Sequence, residues 1–134
     1  MKLFAVRKMQ KKTLVKEKMD LGCNSSLFWL HLFTNEMEGY LDEICWGVLK
    51  KGMKVHPHKH PQKEVYIFVS GQGIMQVEQE ETAVKKGDAI YIEPNSMHTA
   101  WNNEETDLEF ILLRSKNIGY LTKKLAKLSF LKLL

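Results

Sequence analysis

The sequence predicts an all-β fold in which short antiparallel strands build a sandwich or a barrel. Between residues 26 and about 114, short apolar segments are separated by turns at regular intervals, which is typical of these two architectures. No long helical pattern interrupts the segments, so we expect neighbouring strands to pair mainly antiparallel. The chain of 134 residues has a size that suits one compact domain.

Each predicted strand is an apolar run that ends at turn-forming residues. The run 65–70, for example, is rich in β-branched and aromatic residues and stops at Gly71-Gln72-Gly73, where glycine can adopt a positive φ angle. The strands predicted in this way cover residues 27–33, 41–50, 65–70, 74–79, 82–84, 89–92, 98–102 and 107–114.

The two ends of the chain differ from this pattern. Residues 1–25 mix lysines and apolar residues without a clear period, and they could form an edge strand or an arm. In residues 115–134 the apolar residues recur at steps of three and four, which predicts a basic amphipathic helix. Such a helix could lie on a membrane, but we favour packing of its apolar side against the barrel or a partner subunit. The apolar positions are Ile118, Leu121, Leu125 and Leu128.

Composition argues against several classes of function. The net charge is +4 and the pI is near 9.0, but the lysines are scattered and accompany no nucleic-acid-binding motif. We find no signal peptide and no apolar stretch near the roughly 18 residues of a membrane span, so we expect a cytoplasmic protein that binds neither nucleic acid nor membrane. Cys23 and Cys45 are far apart in sequence, and we expect them to be buried thiols rather than a disulfide or a redox pair.

A cluster of histidines predicts a metal site. Three of the five histidines fall within residues 56–60. In a strand, His58 and His60 would point to the same face, and Glu64 lies at a further even offset. Each residue alone would be an ordinary polar or surface residue, but burying two imidazoles and a carboxylate together is costly without a metal ion or full pairing. These ligands favour Fe, Mn, Ni, Co, Cu or Zn over Ca or Mg and leave coordination positions open.

The spacing around these residues resembles the two motifs of the cupin family. The first motif reads Gly52-x5-His58-x-His60-x3-Glu64-x6-Gly71, and the second runs from Gly87-Asp88 through Pro94 to His98 and Asn102. The resemblance implies a double-stranded β-helix, a jelly-roll-like antiparallel barrel, and it implies His98 as a fourth metal ligand. Glu93 and Asn95 depart from the residues that are usual in the second motif, but asparagine tolerates a left-handed turn.

Several other residues are candidates for the pocket around the ion. His56 could be a further ligand or a general base, although we favour a position at the pocket rim because Pro57 follows it. Tyr66 would share the face of Glu64 and could move protons or simply fill the barrel. His31 is expected to be structural. The sequence places neither Arg7 nor Arg114, the only arginines, inside the barrel, so it predicts no cation there that could bind a carboxylate or phosphate.

The resemblance leaves the reaction open, because one fold hosts many chemistries. We favour a metal-dependent enzyme that acts on a small organic substrate, of the dioxygenase type. The alternatives are a non-catalytic module that binds a small molecule or a metal, and a non-redox isomerase or lyase in which the ion polarises a carbonyl group. Small cupins commonly pair, and we expect a homodimer.

Overall fold

A computed structural model of the chain describes residues 9–22, 27–34 and 39–116. Within these ranges it contains one short 3-10 helix and nine β-strands. The 3-10 helix is Lys16–Lys18, and the strands are β1 (Asp20–Gly22), β2 (Leu27–Phe33), β3 (Leu41–Leu49), β4 (Glu64–Ser70), β5 (Gln72–Val77), β6 (Glu80–Lys85), β7 (Ala89–Ile92), β8 (His98–Trp101) and β9 (Leu108–Ser115).

The strands form two antiparallel sheets. The larger sheet has the order β1-β2-β3-β9-β4-β7, and the smaller has the order β6-β5-β8. Every strand pairing in the described residues is antiparallel, which confirms the predicted all-β antiparallel architecture. The predicted C-terminal helix lies outside the described residues, so it stays a prediction, as do the homodimer and the domain limits at residues 25 and 115.

The core fills the space between the sheets. Along β4, burial alternates so that Glu64, Tyr66 and Phe68 are buried while the residues between them are only partly covered, as expected where one face of a strand lines a core. Phe110 of β9 packs against both rings, 4.9 Å from the ring centroid of Tyr66 and 5.9 Å from that of Phe68. From the smaller sheet, Met75 of β5, Val84 of β6 and Ala100 of β8 belong to the same core.

Two turns follow the conformations that the sequence predicts. Gly71 has a φ of +79° at the turn between β4 and β5, and an added Cβ would stand 2.1 Å from the carbonyl oxygen of Asp107. Asn95 has a φ of 62° in the turn before β8. Asparagine therefore takes the left-handed conformation there, and the turn that leads to His98 is kept despite the change from glycine.

Among the described residues, no helix has the length and apolar character to cross a membrane.

Candidate metal centre

The candidate centre joins the two sheets at one end of the barrel. Glu64 is the first residue of β4 in the larger sheet, and His98 is the first residue of β8 in the smaller sheet. His58 lies between β3 and β4 and forms an antiparallel bridge with His98. The His58 N–H donates to the His98 carbonyl at 3.2 Å, and the His98 N–H donates to the His58 carbonyl at 2.9 Å. This bridge holds the two histidines side by side.

His60, the fourth residue of the candidate centre, is held in position by the turn before β8. The carbonyl of His60 accepts a hydrogen bond from the Asn95 N–H at 2.7 Å. The segment that carries His58 and His60 is therefore tied to the second half of the barrel at both residues. The structure brings together all four residues of the predicted set, and one candidate ligand atom from each lies within 4.8 Å of the others.

Glu64 lies at the centre of the group. Its Oε1 is 2.9 Å from Nε2 of His60, and its Oε2 is 2.9 Å from Nε2 of His98. The side chains of Glu64 and His98 are only 2% and 1% exposed. The ring of His58 is 4.3 Å from that of His98 and 5.4 Å from that of His60, measured between centroids.

The backbone selects the same tautomer at all three histidines. Nδ1 of His58 faces the carbonyl of His56 at 2.7 Å, Nδ1 of His60 faces that of Gln62 at 3.1 Å, and Nδ1 of His98 faces that of Ser96 at 2.8 Å. Because a carbonyl can only accept, each Nδ1 must carry the proton. In the neutral imidazole, Nε2 then presents a lone pair, which is the form in which a histidine binds a metal ion.

The atoms that face each other at this centre fit a metal ion. Nε2 of His60, Nε2 of His98 and Oε2 of Glu64 are buried and, within the described residues, none has a hydrogen bond of acceptable geometry. Two ligand atoms that are each about 2.1 Å from an ion, at a right angle, stand about 3.0 Å apart. The observed separations of 2.9 Å agree with that spacing. The assignment of the four residues as metal ligands stays a prediction.

The electrostatics of the group favour a positive charge beside Glu64. Burial lowers the pKa of His58, and the neighbouring histidines add to the effect. For His98, burial also acts to lower the pKa, but the Glu64 carboxylate and the Ser96 carbonyl outweigh it, so the pKa of His98 is raised. In the absence of an ion, a proton on His98 is thus stabilised as the partner of the buried carboxylate.

The other predicted pocket residues have different surroundings. Tyr66 is buried, and its ring centroid is 6.2 Å from that of His98, so it lies beside the centre. The side chain of His56 is exposed, and the residue contributes its carbonyl to orient His58. Asn102 is buried and donates from Nδ2 to the carbonyls of Leu49 and Thr106, each at 2.9 Å. These two hydrogen bonds from the Asn102 amide stabilise the turn after β8.

The sequence analysis missed a cationic residue beside the centre. Arg114 is the partner of Glu64 in the pairing of β4 with β9 and of Glu43 in the pairing of β3 with β9. It has the same strand parity as the core residues Leu108, Phe110 and Leu112, so it belongs to the inner face of the larger sheet. That parity was readable from the sequence. Arg114 forms an ion pair with Glu43.

A second group of potential ligand atoms surrounds Glu43. His31 Nδ1, a carboxylate oxygen of Glu43 and the thiol of Cys45 lie close together. However, Trp29 Nε1 donates to His31 Nε2 at 2.9 Å, so the proton of neutral His31 is on Nδ1, where it faces Glu43. Burial, followed by hydrogen bonding to Glu43, raises the pKa of the Cys45 thiol. In this arrangement the group forms a hydrogen-bonded cluster around Glu43, and the structural role of His31 stays a prediction.

The sequence model of the cupin domain matches residues 46–114. The chain belongs to the cupin family. This match contains all four residues of the candidate centre, and it confirms the resemblance that the two motifs indicated.

Two curated proteins have sequences similar to this cupin. An uncharacterised protein of Methanocaldococcus jannaschii is 32% identical over 81 residues, which are 60% of this chain and 65% of that protein. An oxalate-binding protein of Thermotoga maritima is 31% identical over 64 residues, which are 47% of this chain and 53% of that protein. The chain thus spans less than two thirds of the length of either relative.

Solved structures confirm the fold. A cupin 2 conserved barrel domain protein of Salinispora arenicola superposes with a TM-score of 0.73 at 19% identity, covering 87% of this chain and 99% of the other. A predicted oxalate decarboxylase of Thermotoga maritima superposes with a TM-score of 0.68 at 22% identity, covering 78% and 98%. At these identities the likeness concerns the barrel alone.

Proposed function

We propose that this cupin binds one divalent transition metal ion through Nε2 of His58, His60 and His98 and the carboxylate of Glu64. The observation that carries the proposal is the common tautomer of the three histidines. Each Nδ1–H is held by a backbone carbonyl two residues away, so all three Nε2 lone pairs are available to an ion. Three imidazoles and one carboxylate suit Fe, Mn, Ni, Cu, Co or Zn.

We further propose that the protein is a metal-dependent enzyme acting on a small organic substrate, with a dioxygenase-type reaction favoured. Four protein ligands leave one or two positions of a six-coordinate ion for other molecules. When bound, the ion would polarise or electronically activate the substrate. The chain itself supplies an apolar wall, Tyr66, Phe68 and Phe110, which excludes water from one side of the centre. Tyr66 is the candidate for proton transfer, because its buried ring lies next to that of His98.

A binding module is the second candidate. One curated relative is named as an oxalate-binding protein, and a site that only holds a small carboxylate at a metal ion would need no group to move protons. In that case Tyr66 would fill the barrel and the centre would act as a receptor. The two candidates share the metal site and differ in turnover.

Metal analysis of the purified protein tests the shared part of the proposal. The metal-free protein should take up one equivalent of Mn²⁺ or Co²⁺, measured by titration and by elemental analysis after desalting. His98→Ala should reduce the affinity by more than about 100-fold, since loss of a residue that only orients a metal ligand already costs about 10- to 100-fold. His56→Ala is the matched control, because it removes a nearby imidazole that is exposed, and its stoichiometry should remain one. Full binding by His98→Ala would show that the site is wrongly assigned.

Oxygen consumption then separates the enzyme from the binding module. The metal-loaded protein is screened with catechols, flavonols, thiols and diketones in an oxygen electrode. Turnover that disappears in Glu64→Gln supports the oxygenase. Ligands that raise the melting temperature without consuming oxygen support the binding module, and full occupancy by redox-inactive zinc in the protein as purified would count against the oxygenase.

A further inference from the structure

The outer face of the larger sheet is apolar across its three central strands, β3, β9 and β4. On each of these strands the residues between the buried core positions point away from the core. The strand pairings align these outward residues in two rows. The first row is Ile44, Leu113 and Val65, the second is Trp46, Ile111 and Ile67, and we call these six residues the outer patch.

An apolar outer face is unusual for an antiparallel sheet. Such a sheet commonly packs one face on the core and leaves the other to water, so that its outward residues are polar. All six residues of the outer patch are instead apolar and partly exposed. The first row continues to Tyr91 of β7, which is opposite Val65 and is 49% exposed. A contiguous apolar surface of this kind marks a site of interaction.

The described N-terminal residues reach two borders of the outer patch. Beyond the second row, Glu109 forms an ion pair with Lys16 and accepts a hydrogen bond from Nε1 of Trp46 at 3.1 Å. Along β2, Nζ of Lys12 lies 5.5 Å from the ring centroid of Phe33, which is opposite Ile44. The first row is therefore at the opposite end of the patch from the Lys16 contact, where β9 ends.

The chain leaves the sheet at that same end. β9 is the middle strand of the outer patch and ends at Ser115, and the Lys116 N–H donates to the Tyr40 carbonyl at 2.8 Å. Residues 117–134 lie outside the described residues, and for them the sequence predicts an amphipathic helix. Eighteen helical residues extend over about 27 Å, which matches the length of about 27 Å expected for the eight residues of β9.

We propose that segment 117–134 folds back along β9 and covers the outer patch with the apolar side of its predicted helix. Two apolar surfaces that both need burial are joined here by Lys116 alone, and connections of about 2–6 residues suffice between a strand and a helix. Covering the patch within one chain costs only the closure of this connection, whereas a second copy would also lose its translational and rotational freedom. The proposal does not depend on the metal function.

A matched pair of double variants tests whether the apolar side of the segment is buried. Leu121→Ala/Leu125→Ala changes that side, and Lys123→Ala/Lys127→Ala changes the opposite side at the same spacing. We expect the leucine variant to lower the urea midpoint by about 1 M or more and to increase the fluorescence of a dye that binds apolar surface. The lysine variant should resemble the wild type in both measurements.

A spin label tests where the segment lies. A nitroxide is attached to Lys124→Cys in a Cys23→Ser background, and the methyl resonances of the isoleucines are recorded. We expect those of Ile67 and Ile111, in the outer patch, to lose more intensity than that of Ile74, which belongs to the smaller sheet. This measurement leaves the apolar side of the segment unchanged, so it remains decisive even if the leucine variant does not fold.

A mixed sample distinguishes the chain's own segment from that of a second copy. Isotope-labelled protein without nitroxide is mixed with nitroxide-labelled protein of natural isotope content. Unchanged resonances of Ile67 and Ile111 in this mixture support packing within one chain, whereas their broadening would assign the patch to a second copy and overturn the proposal. Equal intensity losses at Ile74, Ile67 and Ile111 in the first experiment would also overturn it, as would equal urea midpoints for the leucine and lysine variants.

Discussion

A single methyl group added at Gly47 should strain the core that supports the candidate centre. Gly47 lies in β3 opposite Phe110 of β9, and a Cβ at Gly47 would stand 2.4 Å from Cζ and 2.5 Å from Cε2 of that ring. The ring would have to retreat by about 1 Å to reach van der Waals contact. It is fully buried and packs against Tyr66 and Phe68, so there is no free space to receive it.

We expect Gly47→Ala to lower the free energy of unfolding by about 1–3 kcal/mol, the usual cost of an overpacked core. Urea unfolding of the metal-free protein, followed by circular dichroism, should show a lower midpoint at an unchanged slope. Phe110→Leu removes the very ring atoms that clash, Cε and Cζ. In that background, which is less stable by itself, Gly47→Ala should cost less than about 0.5 kcal/mol, giving a coupling energy of about 1–2 kcal/mol. An equal cost in both backgrounds would refute the clash.

Three further predictions concern the turns and a thiol. Gly71→Ala should destabilise the protein by more than about 2 kcal/mol, because the new side chain combines a positive φ with a clash against a backbone carbonyl. Gly52→Ala is the control, since Gly52 has a similar φ but open space around it, and it should cost only about 1 kcal/mol. Equal urea midpoints for the two variants would contradict this prediction. Asn102→Ala should cost about 2–4 kcal/mol in the same assay, since it leaves two backbone carbonyls without their donor. Cys45 is buried and its pKa is raised, so in a Cys23→Ser variant a thiol reagent should react at pH 8 only after unfolding; reaction of the folded protein would show the thiol to be accessible.

The sequence analysis named the four residues that the structure brings together at the centre, but the structural reason that it gave for two of them was wrong. His58 and His60 were expected to share the face of one strand, but both lie in the segment between β3 and β4, where only His58 of the two forms an isolated bridge. That bridge, to His98, sets their position. Pairing between distant segments depends on the closed barrel, and strand periodicity alone cannot reveal it. The cupin motif supplied this information because it records the spacing of residues that such pairing brings together.

Arg114 is the opposite case, because the periodicity of its strand does indicate the face on which it lies. It follows Leu108, Phe110 and Leu112 at even steps, which places it on the inner face. A charged residue at the end of a strand is usually solvated, so its parity alone carried little weight. The partner that holds it inside, Glu43, is more than 70 positions away in sequence, and only the pairing of β3 with β9 brings the two together.

The contrast between the two histidine groups can be tested directly at the ring nitrogens. At the candidate centre, Nδ1 of each histidine is bound by a carbonyl, and Nε2 is the atom that faces Glu64 and its neighbours. At His31 the atom that faces Glu43 is Nδ1, which carries the proton because Trp29 donates to Nε2. Addition of Zn²⁺ should therefore change the ¹⁵N resonances of Nε2 in His58, His60 and His98 and leave both nitrogens of His31 unchanged. Since the two groups contain similar ligand types, a zinc-dependent change at His31 would mean that composition, and not tautomer, decides where this protein binds an ion.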